Sequence, residues 1–190
     1  PDGDDDTFTG TAFGKKITFS SLGGGEVELR GSTAEEYNTT WQRYLSLDSD
    51  YDEADRVIIE SMPNERDRAE MSAAVDSGRG IRILRQDPFE TLISFIISQN
   101  NNIPRIKKII SALCEKYGEN GAFPTADALV EAGEEGIFAL KTGFRAGYIY
   151  DAAVKVKTGE VVLDDIAKCE DYEKCTDMLC SIKGVGPKVS

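Results

Sequence analysis

The chain of 190 residues contains no histidine. Serine and cysteine nucleophiles in hydrolases usually depend on a histidine base, so the absence excludes Ser-His and Cys-His chemistry within these residues. It also disfavours a zinc site, because histidine is one of the commonest zinc ligands. Any covalent chemistry that these residues perform must therefore use another nucleophile.

Closely spaced cysteines are missing as well. The four cysteines show no Cys-x-x-Cys spacing, which disfavours an iron–sulfur cluster. We expect free thiols, as is usual in the cytoplasm, and neither a metal nor a cofactor. The cysteines are Cys114, Cys169, Cys175 and Cys180.

No apolar run is long enough to span a bilayer, and the opening PDGDDD is not typical of a signal peptide. We therefore expect no membrane association. The location expected is the cytoplasm or nucleoid, or the nucleus in a eukaryote. Because the chain lacks an initiator methionine and opens and closes inside apparent elements, we interpret it as a fragment.

The net charge of −12 is the opposite of what a DNA-binding surface usually shows. The acidity lies at the front, however. Residues 1–76 carry 18 acids and 7 bases, whereas residues 77–190 carry 16 acids and 15 bases. The charge therefore neither supports nor excludes a nucleic-acid partner for the rear part.

The pattern predicts an α+β fold. Three short runs rich in Thr, Phe, Ile and Val, at 8–12, 16–20 and 26–30, are separated by glycines and predict an antiparallel meander. We expect helices to pack on this sheet, the first from Ala34. From about Gly80 onward only helices are predicted. We divide the chain into an α+β domain at 1–78 and an all-α domain at 79–190.

Two turns between the predicted helices carry side chains suited to DNA. Gln99 to Arg105 places three asparagines and an arginine between two apolar helices, and Asn and Arg are side chains that read base edges. Gly143-Phe144-Arg145 places an aromatic ring beside a guanidinium group, which carries several hydrogen-bond donors. A single asparagine in a turn is common, but three in a row before a helix are harder to explain as an ordinary connection. The Phe-Arg pair alone would be interpreted as a core ring and a surface charge.

The final motif is Gly184-Val185-Gly186-Pro187-Lys188, after a predicted helix at 172–182. Glycines followed by a helix that restarts at proline are typical of a helix-hairpin-helix, whose bare amides suit a phosphate. Lys188 then places an amine beside a DNA backbone. By itself the motif is also compatible with a tight turn.

Taken together, these motifs resemble the 8-oxoguanine DNA glycosylase family of the helix-hairpin-helix superfamily. The similar stretches, in family order, are 85–90, 94–105, 143–146 and 184–189. The resemblance extends over residues 8–189. It implies an N-terminal glycosylase domain whose start is missing and a helix-hairpin-helix domain whose C-terminal part is missing.

The resemblance also implies roles for residues. Lys188 matches the catalytic nucleophile, which attacks the sugar, expels an oxidised purine and forms a Schiff base that permits strand cleavage. Asn100 matches the residue that fills the gap of the flipped nucleotide, and Phe144 matches the wedge, commonly Tyr. Arg105 and Arg145 match the pair that binds the opposite cytosine. Gly184, Val185 and Gly186 match the hairpin that grips the backbone.

The implied partner is duplex DNA with an oxidised purine, preferably opposite cytosine, bound by a monomer. The family's catalytic Asp and lesion pocket lie beyond Lys188, so we expect this stretch alone to be nearly inactive. Two alternatives stay open. One is a monofunctional alkylated-base glycosylase, which the presence of Lys188 disfavours. The other is a non-enzymatic helix-hairpin-helix module that binds DNA for a partner.

Overall fold

The computed structural model of the chain describes residues 6–186, which form a three-stranded sheet and a set of helices. The α+β class predicted from the sequence is confirmed. Within residues 6–186, no helix combines the length and the apolar content that crossing a membrane requires.

The sheet is an antiparallel meander in the order β1-β2-β3. Phe8 of β1 pairs with Phe19 of β2, and Phe19 pairs in turn with Leu29 of β3. The β2 strand buries Ile17 and Ser20. The strands are β1 (Thr7–Ala12), β2 (Lys15–Gly23) and β3 (Glu26–Arg30).

The described residues form two compact units, which are not contiguous in sequence. One combines the sheet, up to Gly31, with the chain from Gln86 onward, and the other spans Ser32–Arg85. The division into domains at 1–78 and 79–190 follows the order of elements along the chain, and it stays a prediction.

The Ser32–Arg85 unit begins at a capping box. The Thr33 side chain accepts a hydrogen bond from the Glu36 amide, and the Glu36 carboxylate accepts one from the Thr33 amide. Trp41 is fully buried. The helices are α1 (Ala34–Glu36), a π-helical segment (Tyr37–Trp41), α2 (Gln42–Tyr44), α3 (Tyr51–Glu60) and α4 (Glu65–Ser77).

The acidic stretch 48–55 is a loop only in part. Its composition is typical of a solvated loop that runs into a helix, and α3 begins within it, at Tyr51. Asp50 caps the helix by accepting from the Glu53 amide at 2.9 Å. Acidic side chains in a first turn are stabilised by the helix dipole, so a run of acids is as compatible with a helix start as with a loop.

The other unit has a helical core around α5, as the sequence predicts. Asp87 caps this helix by accepting from the Glu90 amide, and Pro88 occupies its first turn. Its apolar residues Leu92, Ile93, Ile96 and Ile97 are buried. The helices are α5 (Pro88–Ser98), α6 (Ile103–Tyr117), α7 (Ala126–Ile137), a π-helical segment (Phe138–Thr142), α8 (Arg145–Thr158), α9 (Leu163–Ala167) and α10 (Tyr172–Cys180).

Candidate nucleic-acid interface

The turn between α5 and α6 presents the asparagines that the sequence singles out. Asn100 has a left-handed backbone, with φ of +46°, and its side chain is exposed. Asn101 donates to the Ile97 carbonyl at 3.0 Å. Asn102 caps α6 by accepting from the Arg105 amide at 3.0 Å. Two of the three asparagines therefore fix the turn, and Asn100 projects from it.

Arg145, at the start of α8, binds this turn from the neighbouring connection. Its Nε donates to the Gln99 carbonyl at 3.0 Å, and its Nη2 donates to the carbonyls of Gln99 and Asn100, the latter at 2.9 Å. Its Nη1 donates to the Thr142 carbonyl at 3.3 Å. Arg145 is only 2% exposed, so it is a structural clamp as well as a candidate base reader.

Burial and the nearby charge of Arg105 both lower the pKa of Arg145, burial contributing more. The guanidinium nevertheless stays charged at neutral pH, because the ordinary pKa of arginine is far above 7. Three carbonyl dipoles therefore surround a buried cation. Such charge-assisted bonds are stronger than neutral ones.

Arg105 and Phe144 form the exposed part of the cluster. The Arg105 side chain donates to the Lys141 carbonyl at 3.1 Å and is otherwise open to solvent. The Phe144 ring is 58% exposed and lies 4.5 Å from the Arg145 guanidinium carbon. An exposed ring beside two guanidinium groups and an amide can stack on a base and donate to its edge.

The hairpin lies against the same cluster. Gln99 Nε2 donates to the Gly184 carbonyl at 3.0 Å. The Tyr148 ring packs edge-on against Phe144, with centroids 5.8 Å apart, and also touches Gly184. Val185 is buried, and its amide donates to the Ile182 carbonyl at 3.0 Å. The structure thus joins the asparagine turn, the Phe-Arg pair and the hairpin.

Lys188, the predicted nucleophile, lies outside the described residues, so its role stays a prediction. Gly186 is the last described residue. A Cβ at Gly186 would meet nothing within 4 Å. Phosphate binding by residues 184–186 stays a prediction too. So do the DNA contacts expected of Asn100, Phe144, Arg105 and Arg145.

Sequence reasoning assigned no role to three residues that hold this cluster together. Gln99 was included in the asparagine turn without a function, and Tyr148 lies one helical turn after Phe144. Asp151 accepts from the Lys183 amide at 2.8 Å. The spacing from Phe144 to Tyr148 is the one signal that could have been found, because residues four apart share a helix face.

Replacing Gly184 by alanine is expected to disrupt the hairpin. Gly184 has a φ of +81°, and a Cβ there would lie 2.2 Å from Cδ2 of Tyr148. Strain in the left-handed region and overpacking together should cost about 3 kcal/mol, seen as a lower denaturant midpoint. Gly186→Ala is the matched control, because its Cβ would meet open space. An equal midpoint for both variants would contradict the prediction.

No group of three or more Cys, Asp or Glu within residues 6–186 is arranged to hold a metal ion. All four cysteines are free thiols.

Two family models together match nearly the whole chain. The 8-oxoguanine DNA glycosylase N-terminal domain matches residues 4–92. The HhH-GPD superfamily of base excision DNA repair proteins matches residues 93–183.

Individual relatives agree with these models. The N-glycosylase/DNA lyase of Saccharomyces cerevisiae is 40% identical over 133 residues, covering 60% of this chain and 35% of that protein. The N-glycosylase/DNA lyase OGG1 of Arabidopsis thaliana is 40% identical over 124 residues, covering 59% of this chain and 34% of that protein. The chain thus spans about a third of the length of these relatives.

A solved structure extends the likeness to the fold. The 8-oxoguanine glycosylase/lyase of Clostridium acetobutylicum, bound to duplex DNA with cytosine opposite 8-oxoguanine, is 38% identical with a TM-score of 0.81. The match covers 96% of this chain and 63% of that one.

Proposed function

Because the chain belongs to the 8-oxoguanine DNA glycosylase family, we propose that its protein excises oxidised purines from DNA and then cleaves the strand. The activity is that of a bifunctional N-glycosylase and lyase, acting on 8-oxoguanine and preferring cytosine opposite it. The proposal rests on the family and on the order of the motifs. Above all it rests on the contacts that bring the asparagine turn, the Phe-Arg pair and the hairpin together.

The observation that carries the proposal is the hydrogen bonding around Gln99. Its backbone carbonyl accepts from Arg145 and its side chain donates to the Gly184 carbonyl, so residues 46 and 85 positions away in sequence meet at one residue. A module that only gripped a backbone would need the hairpin and no base-reading turn. The cluster therefore favours an enzyme that opens the duplex over a non-enzymatic module.

Each exposed group has a task in base extrusion. Flipping a nucleotide costs a few kcal/mol, which must be offset by groups that fill the stack and pair the base left behind. The exposed Phe144 ring would enter the stack, and Asn100 would occupy the gap. Arg105 and Arg145 would donate to the acceptors of the unpaired cytosine. A purine there would leave buried donors unpaired, which gives the preference for cytosine.

The covalent step belongs to Lys188. Its free amine would attack C1′ of the deoxyribose as the glycosidic bond breaks and the base leaves with a proton. Opening of the sugar ring then gives an imine between Nζ and C1′. Abstraction of a C2′ proton expels the 3′ phosphate by β-elimination, and water hydrolyses the imine to regenerate the amine.

We further propose that the protein acts as a monomer on duplex DNA. It would do so where the DNA lies, in the nucleoid or, in a eukaryote, the nucleus. The Lys and Arg side chains of residues 79–190 would make the phosphate contacts, so binding should weaken as salt rises.

Borohydride trapping of the full-length protein tests the proposal. Reduction of the imine should link protein to a duplex containing 8-oxoguanine opposite cytosine, and far less to the same duplex with adenine opposite. An undamaged duplex is the control. Base release with no trapped adduct would instead indicate a monofunctional glycosylase, and binding without base release would indicate a non-enzymatic module.

A further inference from the structure

We propose that Gln99 is a positioning residue that transmits recognition of the opposite base to the hairpin preceding Lys188. The inference rests on the proposed function and adds to it a route by which the cytosine preference reaches the chemical step. Gln99 itself would contact neither the opposite base nor the reacting sugar.

The first part of the route joins the base-reading side chains to Gln99. Arg145 donates from both Nε and Nη2 to the Gln99 carbonyl, and its Nη2 also reaches the Asn100 carbonyl. A guanidinium that moves to meet a cytosine must therefore shift the backbone of Gln99 or release it. A purine in the same place would engage the guanidinium differently and leave that backbone elsewhere.

The second part joins Gln99 to the hairpin. Its Nε2 donates to the Gly184 carbonyl at 3.0 Å, across 85 residues of sequence. Gly184 cannot yield towards α8, because the Tyr148 ring already occupies the space where its Cβ would be. A displacement of Gln99 is thus passed on to Gly184 rather than absorbed there. Gly184 is four residues before Lys188 in the chain.

Two further hydrogen bonds to the hairpin come from α8. Asp151 accepts from the Lys183 amide at 2.8 Å, and the Lys155 amine donates to the Ser181 carbonyl. Lys155 also lies 3.8 Å from the Asp151 carboxylate. These contacts fix the hairpin independently of the asparagine turn. Removing one of them should affect the hairpin whichever base lies opposite the lesion.

Gln99→Met tests the inference in the full-length protein, because it keeps the side-chain length and removes the donor. We expect the single-turnover trapping rate opposite cytosine to fall about tenfold, the scale of effect that a small misplacement of a reacting group produces. The rate opposite adenine should change far less, so the cytosine-to-adenine ratio shrinks. DNA affinity and melting temperature should stay near those of the wild type.

Two controls separate transmission from a structural role. Asp151→Ala should slow trapping equally opposite both bases and leave the ratio unchanged. Gln86→Met, the same substitution at an exposed glutamine, should change neither rate. Gln99→Glu, which cannot donate at neutral pH, should reproduce Gln99→Met if that variant folds poorly.

An unchanged cytosine-to-adenine ratio in Gln99→Met and Gln99→Glu would overturn the inference, even if both rates fell. So would a ratio that shrinks equally in Asp151→Ala. Failure of the wild-type protein to trap any lesion duplex would instead overturn the proposed function, and the two failures are therefore distinguishable.

Discussion

Lys188→Gln is expected to abolish the borohydride-trapped complex while the protein still binds lesion duplex. Glutamine has nearly the length of lysine but lacks a nucleophilic amine, so no imine can form. The loss should reach the detection limit of the trapping assay, which makes it the largest effect expected for any single substitution in this chain. Base release should fall with it, because attack by the amine and departure of the base are the same step.

Lys183→Gln is the matched control for that experiment. Lys183 is exposed, lies five residues earlier in the chain, and the substitution removes the same charge. Its hairpin contact is made by the backbone amide, which the substitution keeps. The slope of log affinity against log salt should fall by about 1 if Lys183 meets a phosphate, and trapping should persist. A trapped adduct at wild-type yield in Lys188→Gln would show that another residue is the nucleophile.

The local structure could be predicted where short-range rules decide. Asp87 and Pro88 mark the start of α5, because a capping carboxylate and a proline without an amide both suit a first turn. Gly118 marks the end of α6 for a reason that spacing does not show. A Cβ there would lie 1.9 Å from the Ala122 carbonyl, so the close approach of two backbones requires glycine.

The arrangement in space was less predictable. The sheet clusters with the chain from Gln86 onward and not with the helices that follow it in sequence. Such an arrangement depends on which apolar faces pack against one another. The periodicity of a strand or helix shows which of its faces is apolar, but it does not show which other element that face packs against. The acidic run 48–55, within which α3 begins, shows the same limit locally, since its composition suits both a loop and a capped helix.

The candidate site, too, could be predicted only in part. The sequence identifies the turn from Asn100 to Arg105, the Phe144-Arg145 pair and the hairpin, because these motifs together, in this order, carry the resemblance to the family. It does not show that Arg145 is buried among carbonyls, because that contact joins segments 45 residues apart. Gln99 and Asp151 were missed for the same reason: their side chains bond backbone atoms of the hairpin, and such contacts leave no pattern in sequence.

Arg145→Ala should both destabilise the chain and remove the preference for cytosine. The substitution leaves the carbonyls of Gln99, Asn100 and Thr142 without their donor and opens a space beneath the Phe144 ring. Breaking a buried charged network costs about 3 kcal/mol, which lowers the melting temperature of a domain of this size by roughly 10 °C. Arg145→Lys should recover part of this loss, since one amine keeps the charge but cannot reach three carbonyls.

Arg105→Ala is the comparison that separates stability from recognition. The Arg105 side chain is exposed and makes its bond to the Lys141 carbonyl at the surface, so its loss should change stability by less than about 0.5 kcal/mol. It should still reduce the cytosine-to-adenine ratio in trapping, because a donor to the opposite base is gone. Thermal melts of both variants measure the effect on stability, and their trapping rates opposite cytosine and adenine measure the effect on recognition. If Arg145→Ala melted like the wild type, the buried guanidinium would not be the clamp that orders the asparagine turn.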